Sequence, residues 1–200
     1  MATGWETLVG AKRIAAELRA VHAEIAEGSS PISNLTLKSE DDMSVWSCTM
    51  AGFDADCEGG RLLNADLLKL LETTGQGHLQ LEISFPPNYP TSPFFVRVVT
   101  PRCVMYTGHV TAGGSVCMEM LSGGGSHYGW HPSLCVVGIM PMIKFNMINV
   151  PVTTVRTAAG GGVAGPLRVD FATNTMQPYS EEEARQAFRR AEANHRARGW

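Results

Sequence analysis

One stretch of this chain leaves little choice of local structure. His78 to Phe85 alternates Leu79, Leu81, Ile83 and Phe85 with Gln80, Glu82 and Ser84, and four prolines follow within eight residues. A period of two is that of a strand with one apolar and one wet face, as in an antiparallel sheet that meets water on one side. Pro86, Pro87, Pro90 and Pro93 have no backbone donor, so the strand must stop there. A rigid extended connection then leads to the next strand-like run, Phe94 to Val99.

Upstream, Ile14, Leu18, Val21 and Ile25 recur at helical spacing and predict an amphipathic helix over 5–27, stopped by Gly28-Ser29-Ser30-Pro31. Ile32 to Leu37 and Val45 to Met50 read as a hairpin around the turn-forming Ser39-Glu40-Asp41-Asp42. Leu62, Leu63, Leu67, Leu68, Leu70 and Leu71 are too dense for a half-exposed strand and predict a short helix that Thr73-Thr74-Gly75 ends.

Downstream, regular structure lapses from Thr100 to Tyr128, a long glycine-rich loop region that holds Cys117. Long ordered loops are disproportionately functional. Ser133 is placed to cap a buried helix through Val136, Val137, Ile139, Met142 and Ile143, in which Pro141 costs about 3 kcal/mol unless it kinks or restarts the helix. Gly160-Gly161-Gly162 predicts a loop and Leu167 to Phe171 a short strand-like run. Ser180-Glu181-Glu182-Glu183 then forms a capping box for a last helix carrying Ala184, Phe188 and Ala191. The pattern is α+β, a single domain over residues 1–200.

Composition excludes several functions. With 44% hydrophobic residues the chain can bury a substantial core, and a formal charge of −3 marks neither a nucleic-acid binder nor a polybasic membrane binder. No apolar run approaches the roughly 18 residues of a spanning helix, and Met1 to Glu6 lacks a signal-peptide pattern. The expectation is a soluble protein of the cytoplasm or nucleus. Cys48, Cys57, Cys103, Cys117 and Cys135 are odd in number and contain no C-x-x-C pair, which suits a reducing compartment. Gly123-Gly124-Gly125 is followed by no Gly-Lys-Ser/Thr, and no Cys/His set has zinc spacing, so neither a phosphate loop nor a metal is expected. Met118, Met120, Met140, Met142 and Met147 read as core filler.

An ordered set of landmarks spans nearly the whole chain: Asp41-Asp42-Met43 with Trp46, Phe85-Pro86 with Tyr89-Pro90 and Pro93, Gly114 to Leu121 around Cys117, and Trp130 with Pro132. In order and spacing these resemble the ubiquitin-conjugating enzyme family. Phe95 to Val99, Gly113-Gly114, Cys117-Met118-Glu119, Arg168-Val169-Asp170-Phe171 and Ala184-Arg185-Gln186 through Gly199-Trp200 resemble its Q-type branch in particular. The resemblance implies an antiparallel meander with N-terminal, central and C-terminal helices. It further implies that Cys117 is a nucleophile that accepts ubiquitin as a thioester from an activating enzyme and passes it to a substrate amine or a ligase. The partners implied are ubiquitin, the activating enzyme, a ligase and protein substrates. No cofactor is implied, since ATP is used by the upstream activating enzyme. Ligase docking, by the same resemblance, falls on Thr91 and on Pro132-Ser133.

The chain departs from the family in two places. Where the family has His-Pro-Asn this sequence reads Thr107-Gly108-His109, so the usual asparagine is missing, as it is in the Q-type branch. His109 is the candidate oxyanion donor in its place, against the plainer reading that it braces the loop. Cys117 and Trp130 stand 13 apart, wider than is common in the family, with Ser122 to His127 filling the gap as a flexible loop by the site or a neutral insertion. A papain-like thiolate using His109, His127 or His131 is disfavoured, because sequence proximity is weak support and a carrier exchanging one thioester for another needs no strongly acidic thiol. The alternative function is a noncatalytic module that keeps the fold as a partner surface, and the presence of Cys117 argues against it.

Overall fold

Residues 8–122, 129–157, 160–172 and 174–197 are described by a computed structural model. Four strands pair antiparallel in chain order: β1 (Ser33–Ser39), β2 (Asp42–Met50), β3 (Leu79–Ser84) and β4 (Phe95–Thr100). Ser39 faces Asp42 across a tight turn, and the Asp42 carboxylate accepts the Ser44 N–H at 2.7 Å. That is the local bond that makes Asp a turn residue. The expected α+β meander is what the chain adopts.

α1 (Leu8–Glu27) buries Ile14 and Val21 and rests Leu18 and Ile25 on the core. Residues 5–7 of the expected helix lie outside the described residues. α2 (Glu58–Thr74) starts earlier than its leucines suggest, because the Cys57 sulfur accepts the Gly60 N–H and caps it. Gly75, left-handed at φ +81°, closes it by donating to the Leu71 carbonyl.

Register puts Leu81 beside Val98 and Ile83 beside Val96 and Trp46, all fully buried against the leucines of α2 and the apolar side of α3 (Val136–Ile148). The opposite face is not wet, contrary to the expectation from alternation. Glu82 meets Arg97 across the strands at 2.8 Å and Lys38 at 2.9 Å. Arg97 also donates to the Tyr179 carbonyl at 2.6 Å, and Arg185 reaches the Ser84 hydroxyl at 3.2 Å. These bonds fasten the C-terminal segment and α4 (Glu181–Ala197) over the polar side of the sheet. The alternation was real, but its polar half pairs with protein instead of water.

α3 runs through Pro141, which lies on its exposed side, without a restart. Ser133 is not its cap: its hydroxyl pairs with the His131 Nδ1 at 2.8 Å, and the N-cap position is Cys135, which makes no side-chain cap bond. The orphan N–H of Val136 is taken by the carboxylate of Glu17 on α1 at 2.9 Å. Glu17 also accepts from Tyr89 at 2.7 Å and from Arg13 at 2.8 Å, so one buried acid ties α1, the proline connection and α3 together.

The expected glycine loop is a strand: β5 (Thr153–Thr157) pairs antiparallel with β6 (Gly160–Ala164), which contains Gly160, Gly161 and Gly162. Leu167 to Phe171 makes a single bridge, Val169 with Cys103, and is pinned to α2 by Asp66, which accepts from Arg168 at 2.7 Å and from the Val169 N–H at 3.0 Å. The capping box of α4 forms in both directions, Glu183 N–H to Ser180 Oγ at 3.1 Å and Ser180 N–H to the Glu183 carboxylate at 3.3 Å. Among the described residues no helix is long and apolar enough to cross a membrane.

Candidate active site around Cys117

Between β4 and α3 the chain folds a short hairpin onto the sheet. Gly114 donates to the Thr111 carbonyl at 2.9 Å to close the turn, and the Thr111 and Ser115 hydroxyls bond at 2.6 Å inside it. The returning arm runs beside β4: Val98 N–H donates to the Gly114 carbonyl and Val116 N–H to the Val96 carbonyl, at 2.8 and 2.9 Å. Cys117 comes next, and its N–H donates to the His109 carbonyl at 2.8 Å. The backbone leading into the cysteine is thereby fixed to the sheet, and the cysteine itself to the other arm of the hairpin.

The glycine pair explains how α4 approaches. Gly114 has φ +86°, and a Cβ there would lie 2.6 Å from the Tyr179 ring and 2.8 Å from the Val98 carbonyl. A Cβ on Gly113 would collide with the Glu183 carbonyl and with Ala187. Only residues without side chains let α4 sit this close. Tyr179 is held in turn by Arg102, which stacks on its ring at 4.4 Å and grips Glu183 with two bonds of 3.0 and 3.1 Å.

Cys117 is half-buried between buried Val116 and Met118. Burial first, and the carboxylate of Glu192 on α4 second, push its thiol up to about 11. The other cysteines have structural surroundings. Cys48 and Cys103 are buried, and burial pushes each thiol up to about 12. Cys57 caps α2 and Cys135 precedes α3.

The remaining expected site residues fall into two groups. His109 is exposed and left-handed at φ +58°, directly across the hairpin from Cys117. Thr91, Pro132 and Ser133 form the other group, all exposed. The Trp130 Nε1 donates to the Pro90 carbonyl at 2.8 Å, and its ring packs 5.6 Å from Phe94 and 6.0 Å from Tyr89, which draws their two loops together. His127 and most of the Ser122 to His127 insertion lie outside the described residues. Among the described residues no group of three or more His, Cys, Asp or Glu could hold a metal.

Sequence reading missed α4 as a wall of the site. Arg185, Phe188, Arg189 and Glu192 have the i, i+3, i+4, i+7 spacing of one helix face, and they line a cleft of about 350 Å³ closed on the other side by the Pro86 to Phe95 segment and Leu121. The spacing was visible, but nothing local said what that face meets.

No protein-family model matches the chain. Ubiquitin-conjugating enzyme E2 Q1 of mouse and human is 29% identical over 160 residues, 80% of this chain and 32% of the relative. Ubiquitin-conjugating enzyme E2 25 of Caenorhabditis elegans is 25% identical over 97% of this chain and 43% of its own length. A mouse protein named for its likeness to the Q-type ubiquitin-conjugating enzymes is 26% identical over 65% of this chain and 68% of its own length.

The chain is a homologue of the Q-type ubiquitin-conjugating enzymes.

It spans about a third of the length of the E2 Q1 proteins it matches. Among solved structures, a ubiquitin-conjugating enzyme E2 from Plasmodium falciparum resembles this Q-type homologue with a TM-score of 0.48 and 18% identity, over 70% of this chain and 99% of that one.

Proposed function

We propose that this protein is itself a ubiquitin-conjugating enzyme, in which Cys117 takes ubiquitin from an activating enzyme as a thioester and transfers it to an amine or to a ligase. The observation that carries this is Cys117: a half-exposed cysteine, fixed at the end of a hairpin on the sheet, in a chain homologous along most of its length to enzymes of that name.

The chemistry suits a carrier. A thiol pushed up to about 11 is a thiolate in only about one molecule in 10⁴ at neutral pH, so the resting sulfur is protected from stray electrophiles. Loading needs no more, because the incoming acyl group already sits on a thiol and the exchange is nearly thermoneutral. Once charged, a sulfur of high pKa is a poorer leaving group, which holds the thioester until an amine is well placed. His109 is the proposed oxyanion donor, and Thr91 with Pro132 and Ser133 the proposed ligase contact. A free, oxidisable thiol fits the cytoplasm or nucleus.

The test is a nonreducing gel after incubation with activating enzyme, ATP and ubiquitin. A reductant-labile adduct should form, disappear in Cys117→Ala and survive replacement of the other four cysteines together. Cys117→Lys should trap a reductant-resistant amide. An adduct that persists in Cys117→Ala would sink the assignment. No adduct in the intact chain would favour a binding module of the same fold.

A further inference from the structure

The turn from Tyr106 to His109 is the part of the site least able to hold its own shape. Tyr106, Gly108 and His109 are all left-handed, at φ +66°, +55° and +58°, and such conformations persist where the surroundings impose them. At Gly108 no side chain restricts the backbone. The stiffness of the turn has to come from outside it, and it comes from residues 165–169. Gly108 N–H donates to the Gly165 carbonyl at 2.8 Å, Val104 N–H to the Arg168 carbonyl at 2.9 Å, and Arg168 N–H to the Thr107 hydroxyl at 3.3 Å. Thr107 is buried, and its hydroxyl donates in turn to the Val104 carbonyl at 2.6 Å.

Residues 165–169 belong to no helix or strand, so they need an anchor themselves. Asp66, buried on α2, supplies it. Its carboxylate accepts two bonds from the Arg168 guanidinium, at 2.7 and 2.9 Å, and a third from the Val169 N–H at 3.0 Å. Two parallel charged bonds fix direction as well as distance.

We propose that Asp66 and Arg168 are positioning residues for Cys117, acting through the Tyr106 to His109 turn. The route is continuous in hydrogen bonds and short stretches of chain. Asp66 holds Arg168, Arg168 and Gly165 hold Val104, Thr107 and Gly108, and the His109 carbonyl next to them holds the Cys117 N–H at 2.8 Å. The pair thus reaches the cysteine from a helix that takes no other part in the site. Its consequence for rate rests on the proposed enzyme reading, while its consequence for the Cys117 backbone rests on the geometry alone. A pair that served only overall stability would loosen the whole fold when broken, whereas one that serves the turn loosens the turn first.

The experiment follows amide hydrogen exchange in the full chain and, separately, single-turnover discharge of preformed ubiquitin thioester over a range of lysine concentrations. Arg168→Met keeps the stem and removes the guanidinium. It should speed exchange at the Cys117 and Gly108 amides about threefold to tenfold and leave the amides of β3 within about twofold of wild type. The maximal discharge rate should fall by a similar factor while the half-saturating lysine concentration stays the same, because alignment of the thioester is lost and not contact with the amine. Arg168→Lys, which keeps one charged bond, should recover part of both effects, and Asp66→Asn should match Arg168→Met. Cys117 exchange equal to wild type, or a rise shared equally by β3, would overturn the proposal. So would an unchanged discharge rate in a chain whose Cys117 amide has loosened. A wild-type chain that takes no thioester refutes the enzyme reading, and amide exchange then still decides whether the pair holds Cys117.

Discussion

His109 offers a test in which strain and chemistry can be separated by the choice of substitution. It holds a left-handed backbone at φ +58° while its carbonyl receives the Cys117 N–H at 2.8 Å. A non-glycine residue in that region costs roughly 1 kcal/mol, less for Asn and nothing for Gly. If the ring donates to the developing oxyanion, losing it costs up to about 3 kcal/mol in a dry site. His109 is exposed, so water replaces part of the donor, and the expected loss is about 1.4–2.7 kcal/mol, or 10–100-fold in rate. His109→Gly removes the ring while relieving the strain, and His109→Asn restores a donor in a tolerated conformation. In single-turnover discharge to free lysine we expect Ala and Gly to be slow alike and Asn to stay near wild type. A glycine variant as fast as wild type would refute the oxyanion role.

Gly113→Ala should displace α4, because its Cβ would collide with the Glu183 carbonyl. About 1–3 kcal/mol should be lost in urea unfolding, and Cys117 should alkylate faster at neutral pH as burial and the Glu192 charge recede. Glu17→Ala leaves Val136 N–H, Tyr89 hydroxyl and Arg13 without their shared acceptor. A loss of about 3 kcal/mol is expected from the same measurement, and a loss below about 1 kcal/mol would show that water substitutes for the acid. Thr91→Phe should raise ligase-stimulated discharge across a RING-type panel, since a buried aromatic contributes about 1.5–3 kcal/mol that Thr91 cannot. Pro132→Ala should lower it, and no response to either would remove these loops from the ligase contact.

What the sequence revealed and what it hid divide along a physical line. Period-two alternation in β3, the leucine density of α2 and the Ser180–Glu183 box are local signals, and each produced the element expected. The glycine triplet misled because glycine is permissive instead of disruptive, so pairing with β5 could carry it into a strand. Ser133 misled because the cap of α3 comes from Glu17, far away in the chain. The motif singled out Cys117 as the candidate, but the packing of α4 against the hairpin before it could not be read locally, since it joins segments far apart in the chain. Long-range partners of short-range patterns are what a single sequence conceals.

The same long-range packing couples stability to reactivity. Covering the polar face of the sheet uses Tyr179, Arg185 and the first turns of α4, and their docking requires the bare backbone of Gly113 and Gly114. Once docked, α4 continues past the hairpin to Glu192, whose carboxylate adds to burial in pushing the Cys117 thiol up. A thiol pushed up to about 11 has far less thiolate at neutral pH than a free one. Lifting α4 therefore raises reactivity while it uncovers the Glu82–Arg97 pair. For the proposed carrier role the two effects oppose each other, since a looser helix makes a more nucleophilic sulfur in a less stable fold. Residues that anchor α4, such as Arg102 and Glu183, thus bear on the environment of the Cys117 thiol through the packing of that helix.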